Sequence, residues 1–398
     1  MSPTATTAAS PRIAHRIQYR VGHGGFHATI VEDATAKDHL VYVYDVGAKP
    51  DKSELLLAIE SFIDMLSSRK ITRVDYIYLS HIDGDHVNGL RELLDALAAH
   101  SPKIVVANVV LPWLSSVQKL LTQSRNSHRQ PSTVVTNLAG SDEDADVFLR
   151  DLDVENVIRI TAEGEDAAPT ATSTSTSTST TIPSGSSTLP TSVPGWLLLP
   201  IKTPAPANFE SSFRTELDNR LPNHLNPNDP ADHATILRDH KPKIVDAIRA
   251  VAHLIGVSQK RVANWSSLAL LHGSTTPTTP CTVSIVPPQH VDAQCEHGWL
   301  HTGDLPVADA VVWSNLSSEL LRASLKSPLC VVVAPHHGSG LDHNDALYTV
   351  AAPGTVILTT GRKLTGVNMG NPSYSYNLGK VLASAGSIGA NVVELNNA

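Results

Sequence analysis

Apolar positions in the first third of the chain follow two different periods. Runs of β-branched and aromatic residues, as at 40–44 and 73–79, are typical of short buried strands. Residues 53–68 instead repeat apolar side chains at helical spacing. The pattern predicts strands over 13–21, 28–31, 40–44, 73–79 and 104–111, a Gly-rich turn over 22–27, and helices over 53–68 and 89–97. This alternation of strands and helices predicts a layered α/β fold with a sheet core.

From about Trp113 the pattern becomes less regular. The recognisable pieces are helices over 117–124 and 243–255, an acidic helix start at 141–146 and a strand over 154–160. Between them, residues 167–194 are rich in Ser, Thr and Pro, a composition that buries too little apolar surface to order itself. We therefore expect one domain over 13–398 that is interrupted by an insertion over 113–256, with 167–194 as its flexible linker.

Sheet signals return in the last third of the chain. The pattern predicts strands over 264–271, 281–286, 298–305, 329–334, 356–360 and near Val392, with helices over 309–325 and 377–385. Residues able to bind a metal ion follow two of these strands. They are therefore placed where α/β folds carry their chemistry.

Composition limits the class of protein. The 398 residues are 41% hydrophobic, with no apolar run as long as a membrane span, which predicts a soluble globular protein with no membrane partner. Residues 1–12 lack the basic start and apolar core of a signal peptide and predict a disordered lead-in. Three cysteines without a CxxC pair favour a cytoplasmic location. The net charge of −8 opposes broad attraction to nucleic acid.

The densest chemistry is the turn between the strand over 73–79 and the helix that follows it. There His81, Asp83, Asp85 and His86 fall within six residues. Imidazole and carboxylate groups together suit zinc, manganese or iron. The spacing lets the turn supply ligands to two ions, with His81 and Asp83 binding one and Asp85 and His86 binding the other. A solvated loop whose aspartate caps the next helix is the alternative, but it leaves both histidines unexplained.

Three other positions add to this turn. His336 and His337 follow a buried strand directly, and an ordinary polar strand exit explains such a pair poorly. Asp304 ends a Thr-Gly-Asp sequence that alone would indicate only a turn. Asp45 ends another strand, where it either steadies the metal loop by hydrogen bonding or starts a turn.

The other histidines that we weighed lack a partner at ligand spacing. We expect ordinary loop, surface or core histidines at His23, His27, His224, His233, His240 and His253. Cys330 lies in an apolar run and is expected to be a small core residue.

Taken in order, five stretches resemble the metallo-β-lactamase fold and, within it, the hydrolase domain of ComEC-type competence proteins. They are 21–30 with 45–47, 81–86, 264–271, 302–304 and 335–339. The relatives of that domain include phosphorylcholine esterases. The resemblance implies an α/β fold in the form of an αββα sandwich, with metals at one edge of two facing sheets and an inserted helical and low-complexity segment.

The resemblance also implies roles for single residues. Two divalent ions, zinc or manganese, would be bound by His81, Asp83, Asp85, His86, the bridging Asp304, and one of His336 and His337. Asp85 and Asp304 are the implied catalytic residues, and Asp45 matches a supporting aspartate. Ser339 is a further supporting residue, able to donate a hydrogen bond to a substrate oxygen.

Three positions depart from the family pattern. Asp83 stands where the wider superfamily usually has histidine, as in the ComEC-type variant. No counterpart is evident for the separate histidine that the superfamily supplies between its cluster and its bridging aspartate. Gly370-Asn371-Pro372 stands where relatives often carry Gly-His-Pro.

We therefore expect a metal-dependent hydrolase that cleaves a phosphodiester with metal-activated water. The ComEC resemblance suggests nucleic acid, whereas the esterase relatives and the acidic balance suggest a nucleotide or another small phosphodiester. A carboxylic ester, lactone or thioester remains an alternative substrate, and a non-catalytic metal- or partner-binding module an alternative function. The insertion could bind a protein partner, and Tyr374 and Tyr376 either line the pocket or are ordinary tyrosines.

Overall fold

The fold was analysed in a computed structural model. The structure describes residues 12–33, 38–49, 51–126, 133–162, 165, 178–185, 188–206, 208–257, 262–277, 280–286, 290–325, 328–339, 342–359 and 372–395. The expected lead-in over 1–11, Gly370 and Asn371 lie outside these residues, as do the side chains of Tyr374 and Tyr376. No helix among the described residues is both long and apolar enough to cross a membrane.

Two sheets form the centre of the fold. The first has nine strands: β1 (Arg12–Tyr19), β2 (His23–Asp33), β3 (His39–Lys49), β4 (Arg73–Tyr78), β5 (Val105–Pro112), β6 (Val154–Thr161), β7 (Thr178–Pro183), β10 (Thr282–Val286) and β11 (His290–Gln294). The second has six: β8 (Trp196–Lys202), β9 (Leu268–Ser274), β12 (Trp299–His301), β13 (Val331–Val333), β14 (Thr355–Leu358) and β15 (Asn391–Glu394). Their orders are β10-β11-β1-β2-β3-β4-β5-β6-β7 and β15-β14-β13-β12-β9-β8.

Helices fill the connections between the strands. They are α1 (Ser53–Ser68), α2 (Gly84–Val87), α3 (Leu90–Ala99), α4 (Ser116–Asn126), α5 (Thr133–Leu138), α6 (Asp142–Asp151), α7 (Phe209–Asp218), α8 (Pro230–Asp239), α9 (Lys241–Leu254), α10 (Ala310–Arg322), α11 (Asp345–Ala351) and α12 (Pro372–Ser387). Two 3-10 turns, Ala263–Ser266 and Pro335–Gly338, precede β9 and follow β13.

Alternating side chains divide the interior into layers. On β3, Val41 and Val43 pack in a cluster with Phe62 of α1, whereas Tyr42 and Tyr44 point the other way and pack with Leu270 of β9. This period-two alternation lets one strand bury both of its faces. A further core joins α7 and α9 to the second sheet. The expected mixed α/β sandwich is confirmed.

Tyrosine hydroxyls and the backbone fasten the two sheets together beside the metal-loop sequence. Tyr44 Oη donates to the Leu268 carbonyl over 2.8 Å, and Tyr78 Oη donates to the Ala269 carbonyl over 2.9 Å. The Leu268 amide in turn donates to the carbonyl of Ser80 over 2.7 Å. The end of β4 and the start of β9 are therefore held at one edge of the sandwich.

The middle of the chain differs from expectation. Residues 178–183 form β7, which pairs in parallel with β6, so the prediction of an irregular linker over all of 167–194 is wrong for that stretch. Leu189 and Val193 are also buried. The expected insertion over 113–256 contains β6, β7 and β8, which belong to the two sheets. β7 is an edge strand of the first sheet and, among the described strands, pairs only with β6. Such a strand can form from Ser and Thr residues because it needs only backbone hydrogen bonds.

Smaller differences between predicted and observed elements occur where the pattern of apolar residues was weak. The expected turn over 22–27 is mostly strand, because β2 already begins at His23. Arg12, assigned to the lead-in, begins β1. The expected strand over 264–271 begins as a 3-10 turn and becomes strand at Leu268.

The three cysteines, distant in sequence, converge in the fold. The sulfur of Cys281 lies within bonding distance of both Cys295 and Cys330. One sulfur atom forms only one disulfide bond, so the cluster holds at most one bridged pair. Cys330 is buried among apolar side chains, as expected.

Candidate metal centre

The histidine- and aspartate-rich loop lies buried between β4 and α3. His81, Asp83, Asp85 and His86 are each at most 9% exposed. The loop rests directly on the end of β3, where a Cβ added to Gly47 would overlap the backbone of Asp85. A side chain there would push the loop away, so glycine at this position permits the close approach.

Four imidazoles surround the carboxylate of Asp304, which follows β12. The Nε2 atoms of His86 and His337 lie 3.3 and 3.5 Å from its Oδ1. Those of His81 and His336 lie 3.5 and 3.4 Å from its Oδ2. Each oxygen of one carboxylate thus faces two histidines, and the site has two halves.

The opposite nitrogen of each imidazole has its own partner. Nδ1 of His86 lies 2.8 Å from Asp45 Oδ2, and Nδ1 of His336 lies 2.5 Å from Asp342 Oδ2. The Nδ1 atoms of His337 and His81 lie 3.0 Å from Thr359 Oγ1 and 3.1 Å from Ser80 Oγ. Such partners fix the ring orientation and direct Nε2 at the centre, as metal-ligating histidines require.

Asp45 organises the loop as well as the ring of His86. Its Oδ1 accepts from the Ser80 amide over 2.7 Å, and its Oδ2 accepts from Ser80 Oγ over 2.8 Å. Its backbone is left-handed, with a φ of 57°. Of the two interpretations of Asp45, hydrogen bonding to the metal loop is the one that the geometry supports.

Asp83 and Asp85 each carry a cationic neighbour. Arg125 of α4 lies 3.2 Å from Asp83 Oδ2, and Lys49 of β3 lies 2.7 Å from Asp85 Oδ1. The other oxygen of Asp85 faces Nε2 of His23 at 3.3 Å. Asp83 therefore adjoins the His81 half of the site, at 3.9 Å from Nε2, and Asp85 adjoins the His337 half, also at 3.9 Å.

The local charges perturb the pKa values strongly. Burial acts to raise the pKa of Asp304, but the surrounding histidines, led by His336, hold it well below its usual range. Burial acts to lower the pKa of His86, but Asp45 and Asp304 hold it well above 6.5. Burial also opposes protonation of His336, and Asp304 and Asp342 overcome it to raise its pKa to about 9. The lowered pKa of Asp304 and the raised pKa values of His86 and His336 therefore support one another.

The turn after β13 is strained. His336 and His337 have φ values of 46° and 55°, in the left-handed region that non-glycine residues rarely adopt. This conformation sends the two adjacent side chains to opposite oxygens of Asp304. Strain of this kind costs about 1–3 kcal/mol per residue and persists where surrounding contacts impose it.

The donor set fits divalent metal ions. Nε2 of His81, His86 and His337 and Oδ1 of Asp304 are buried and have no hydrogen-bond partner among the described residues. Buried polar atoms are ordinarily paired, and each unpaired one costs about 1–3 kcal/mol. Imidazole nitrogens and a carboxylate converging in this way suit zinc or a similar dication. The arrangement can bind an ion in each half and polarise an anionic ligand between them.

The structure brings most of the sequence-predicted residues together. His81, Asp83, Asp85, His86, Asp304, His336 and His337 meet at one place, with Asp45 behind them. Both histidines of the pair lie at Asp304, whereas one was expected there. Ser339 follows the turn, and its amide donates to the His336 carbonyl over 2.8 Å, while its expected contact with substrate stays a prediction.

Sequence reasoning missed His23, Lys49 and Arg125. His23 was expected to be an ordinary loop histidine, but its ring lies 4.1 Å from that of His337. The only signal in the sequence was the neighbouring Gly24. In the structure, a Cβ at Gly24 would lie 2.8 Å from the carbonyl oxygen of Asp85. Lys49 and Arg125 carried no signal.

Comparisons with known proteins found one matching family model and several similar solved structures. Residues 27–187 match the family described as the metallo-beta-lactamase superfamily. The solved structure of YhfI, a metallo-beta-lactamase fold protein from Bacillus subtilis, is 9% identical, with a TM-score of 0.38 over 96% of each chain. Unliganded yeast PDE1 is 9% identical, with a TM-score of 0.36 over 97% of this chain and 89% of that chain.

A long form RNase Z from yeast is 12% identical, with a TM-score of 0.33 over 90% of this chain but only 39% of that chain. No curated protein matched this sequence. The finer resemblance to ComEC-type proteins is not tested by these comparisons and stays a prediction.

Proposed function

We propose that this chain is a metal-dependent phosphodiesterase of the metallo-beta-lactamase superfamily. The observation that carries the proposal is the ring of four imidazoles around Asp304, each with its Nδ1 held and its Nε2 directed inward. Such a constellation serves no packing purpose, because buried polar atoms without partners destabilise a fold.

Each half of the site would hold one divalent ion. His81, Asp83 and His336 would serve the half at Asp304 Oδ2, and His86, Asp85 and His337 the half at Oδ1. His336 then takes the place of the separate histidine that the sequence lacks. Bound dications lower the pKa of water toward neutrality and neutralise charge that develops on phosphoryl oxygens.

The charge at the rim favours an anionic substrate. The side chains of Lys49 and Arg125 are 42% and 32% exposed, and each touches one aspartate of the site. Their remaining N–H groups can donate to the non-bridging oxygens of a phosphodiester. A neutral ester or lactone would gain nothing from these two cations, so we place a phosphodiester ahead of either.

Two carboxylates on the outer side of the site fix the orientation of its histidine rings. Asp45 accepts a hydrogen bond from Nδ1 of His86, which leaves Nε2 as the nitrogen that is directed at the centre. Asp342 does the same for His336. Burial of the Asp45–His86 pair excludes water that would compete for this contact, whereas the side chain of His336 is 22% exposed.

The test is metal analysis and turnover measured on one preparation. Protein freed of metal by chelation is loaded with Zn²⁺ or Mn²⁺, analysed for bound metal, and assayed on bis(p-nitrophenyl) phosphate and p-nitrophenyl acetate. We expect about two ions per chain and metal-dependent turnover of the diester. Asp304→Asn should lose at least about 100-fold of that turnover, because it loses the charge that both halves share. Asp309→Asn, which alters only the cap of α10, is the matched control.

Other outcomes separate the alternatives. Turnover of the acetate alone would move the proposal to carboxylic esters. Two bound ions with no turnover of either compound would favour a binding module. Comparison of single-stranded DNA, RNA and cyclic nucleotides as substrates then distinguishes a nuclease from an enzyme of small phosphodiesters.

A further inference from the structure

A second group of buried histidines lies between the two sheets and has no part in the proposed chemistry. We call His27, His272 and His301 the histidine trio. His27 belongs to β2 of the first sheet, and His272 and His301 belong to β9 and β12 of the second. All three are at most 1% exposed. Their ring centroids lie 4.3 to 5.6 Å apart.

In two of these rings, one nitrogen lies within hydrogen-bond distance of a hydroxyl group. Nε2 of His27 lies 2.8 Å from Thr29 Oγ1, and Nδ1 of His272 lies 2.6 Å from Tyr42 Oη. Both hydroxyl oxygens can accept the ring N–H, which leaves the other ring nitrogen with a free lone pair. These contacts orient a ring in the way that partners of metal-bound histidines do.

The other nitrogens converge without partners. Nδ1 of His27 and the Nε2 atoms of His272 and His301 are buried, and no hydrogen bond from the described part of the chain reaches them. One ligand atom from each ring lies within 4.8 Å of the other two. Buried polar atoms are ordinarily paired, so three ring nitrogens without partners in one cluster point to a bound group that would pair with them.

The rings are neutral in this environment. Burial, together with the charge of Arg16, lowers the pKa of His27 and His272 well below 6.5, and burial lowers that of His301 to about 3. Protons therefore do not compete for the three nitrogens near neutral pH. Neutral imidazole is the form that binds a metal.

We propose that the histidine trio binds one dication of the zinc class, separate from the centre at Asp304. Three imidazole nitrogens suit zinc, cobalt, nickel or copper(II) and do not suit magnesium or calcium, which prefer oxygen. Zn–N bonds are about 2.0–2.1 Å long, so the rings would close slightly around the ion. His301 also lines the cavity that Asp304 lines.

One neighbour opposes a cation at this place. The guanidinium of Arg16 is fully buried against Trp196 and Trp299 and lowers the pKa of all three rings. Glu296, also buried, offsets part of its charge. The alternative occupant is Arg16 itself, since a small shift would let its N–H groups donate to the trio. That arrangement needs no metal and is the outcome that would overturn the proposal.

The ion would act as a link between the sheets. One ligand comes from the first sheet and two from the second, and they are separated by up to 274 positions between His27 and His301. Metal that binds only the folded arrangement stabilises it in proportion to its occupancy. The proposed role is therefore structural and does not depend on the phosphodiesterase proposal.

The experiment uses a background chain in which the main centre is disabled by His86→Asn, Asp304→Asn and His337→Asn. This chain is freed of metal, loaded with Co²⁺, desalted, and analysed for cobalt and for visible absorption. We expect one retained Co²⁺ per chain and a melting temperature several degrees above that of the metal-free background. Adding His272→Asn should abolish both effects. Adding His253→Asn, which alters an exposed histidine at the end of α9, should abolish neither.

Two results would overturn the proposal. One is a folded background chain that retains no cobalt and melts at the same temperature with and without it. The other is cobalt that survives His272→Asn. If that variant does not fold by circular dichroism, the melting comparison on the background chain alone decides. Because the main centre is disabled throughout, neither result bears on the phosphodiesterase proposal.

Discussion

Asp45 offers the sharpest test of how the candidate metal centre is held together. Its carboxylate is 1% exposed and accepts from the Ser80 amide, the Ser80 hydroxyl and His86 Nδ1 at 2.7 to 2.8 Å. Asp45→Asn keeps the shape and one carbonyl oxygen, but it places an N–H₂ group where the carboxylate faced His86. The ring must then carry its proton on Nε2, the nitrogen that faces Asp304.

The expected effect falls on metal affinity more than on stability. Loss of a partner behind a metal-bound histidine typically weakens metal binding about 10- to 100-fold, which corresponds to about 1.4–2.7 kcal/mol. Asp45→Ala should add a loss of stability, because at least two buried donors lose their acceptor at about 1–3 kcal/mol each. The φ of 57° at this position adds about 1–2 kcal/mol for alanine, whereas asparagine tolerates it.

The assay is competition with a chromophoric chelator for Zn²⁺, paired with urea unfolding of the metal-free protein. Asp75→Asn is the control, since Asp75 is a partly buried carboxylate of the first sheet that accepts from the Val41 amide over 2.8 Å, away from the centre. If Asp45→Asn binds Zn²⁺ as tightly as the unchanged protein, the proposed role of the Asp45–His86 contact is wrong.

Three further predictions follow from the same site. Gly47→Ala should reduce bound metal to less than half, because its Cβ overlaps the backbone of Asp85, whereas Gly386→Ala, whose Cβ meets no described atom within 4 Å, should leave metal content unchanged. Lys49→Met should raise KM for a phosphodiester at least about 10-fold and leave KM for a neutral ester unchanged, and equal effects on both would refute a role in binding charge. In metal-free protein the pKa of His336 is raised to about 9, so its stabilising contribution is complete below pH 6.5 and is lost as pH rises through 9. Urea unfolding between pH 6.5 and 9.5 should show this fall, and His336→Gln should reduce it.

The candidate metal centre could be predicted where its residues are close together in the sequence. Four potential ligands in six residues, and a histidine pair after a buried strand, need no knowledge of the fold to be recognised. Asp304 and Asp45 are single residues in turn-like sequences, and only the order of the motifs made them candidates. The assignment of both His336 and His337 depended on left-handed backbone at two successive residues, which no propensity predicts.

Contacts between distant strands were beyond local reasoning. Lys49 meets Asp85 because β3 passes under the loop, and Arg125 meets Asp83 from α4. The histidine trio arises from three strands of two sheets, and each member alone resembles an ordinary core residue. The only hint was that His272 directly follows the apolar run 268–271 and that His301 directly follows Trp299 and Leu300. Tertiary packing, rather than periodicity, creates these groupings.

The edge strand β7 has a consequence for how the chain tolerates changes in length. Its first three residues, Thr178 to Thr180, end a sequence in which Thr and Ser alternate from Thr172 onward. A slip of two residues along β6 that draws in the preceding Thr-Ser pair would still place Ser or Thr at the positions of Thr178 to Thr181, and Ile182, which packs against buried core residues, is the side chain that would oppose it. Gain or loss of a Ser-Thr pair in the tract should therefore be absorbed without disturbing the sheet. We therefore expect that the length of the repeat can vary while the candidate metal centre, built on other strands, stays unchanged.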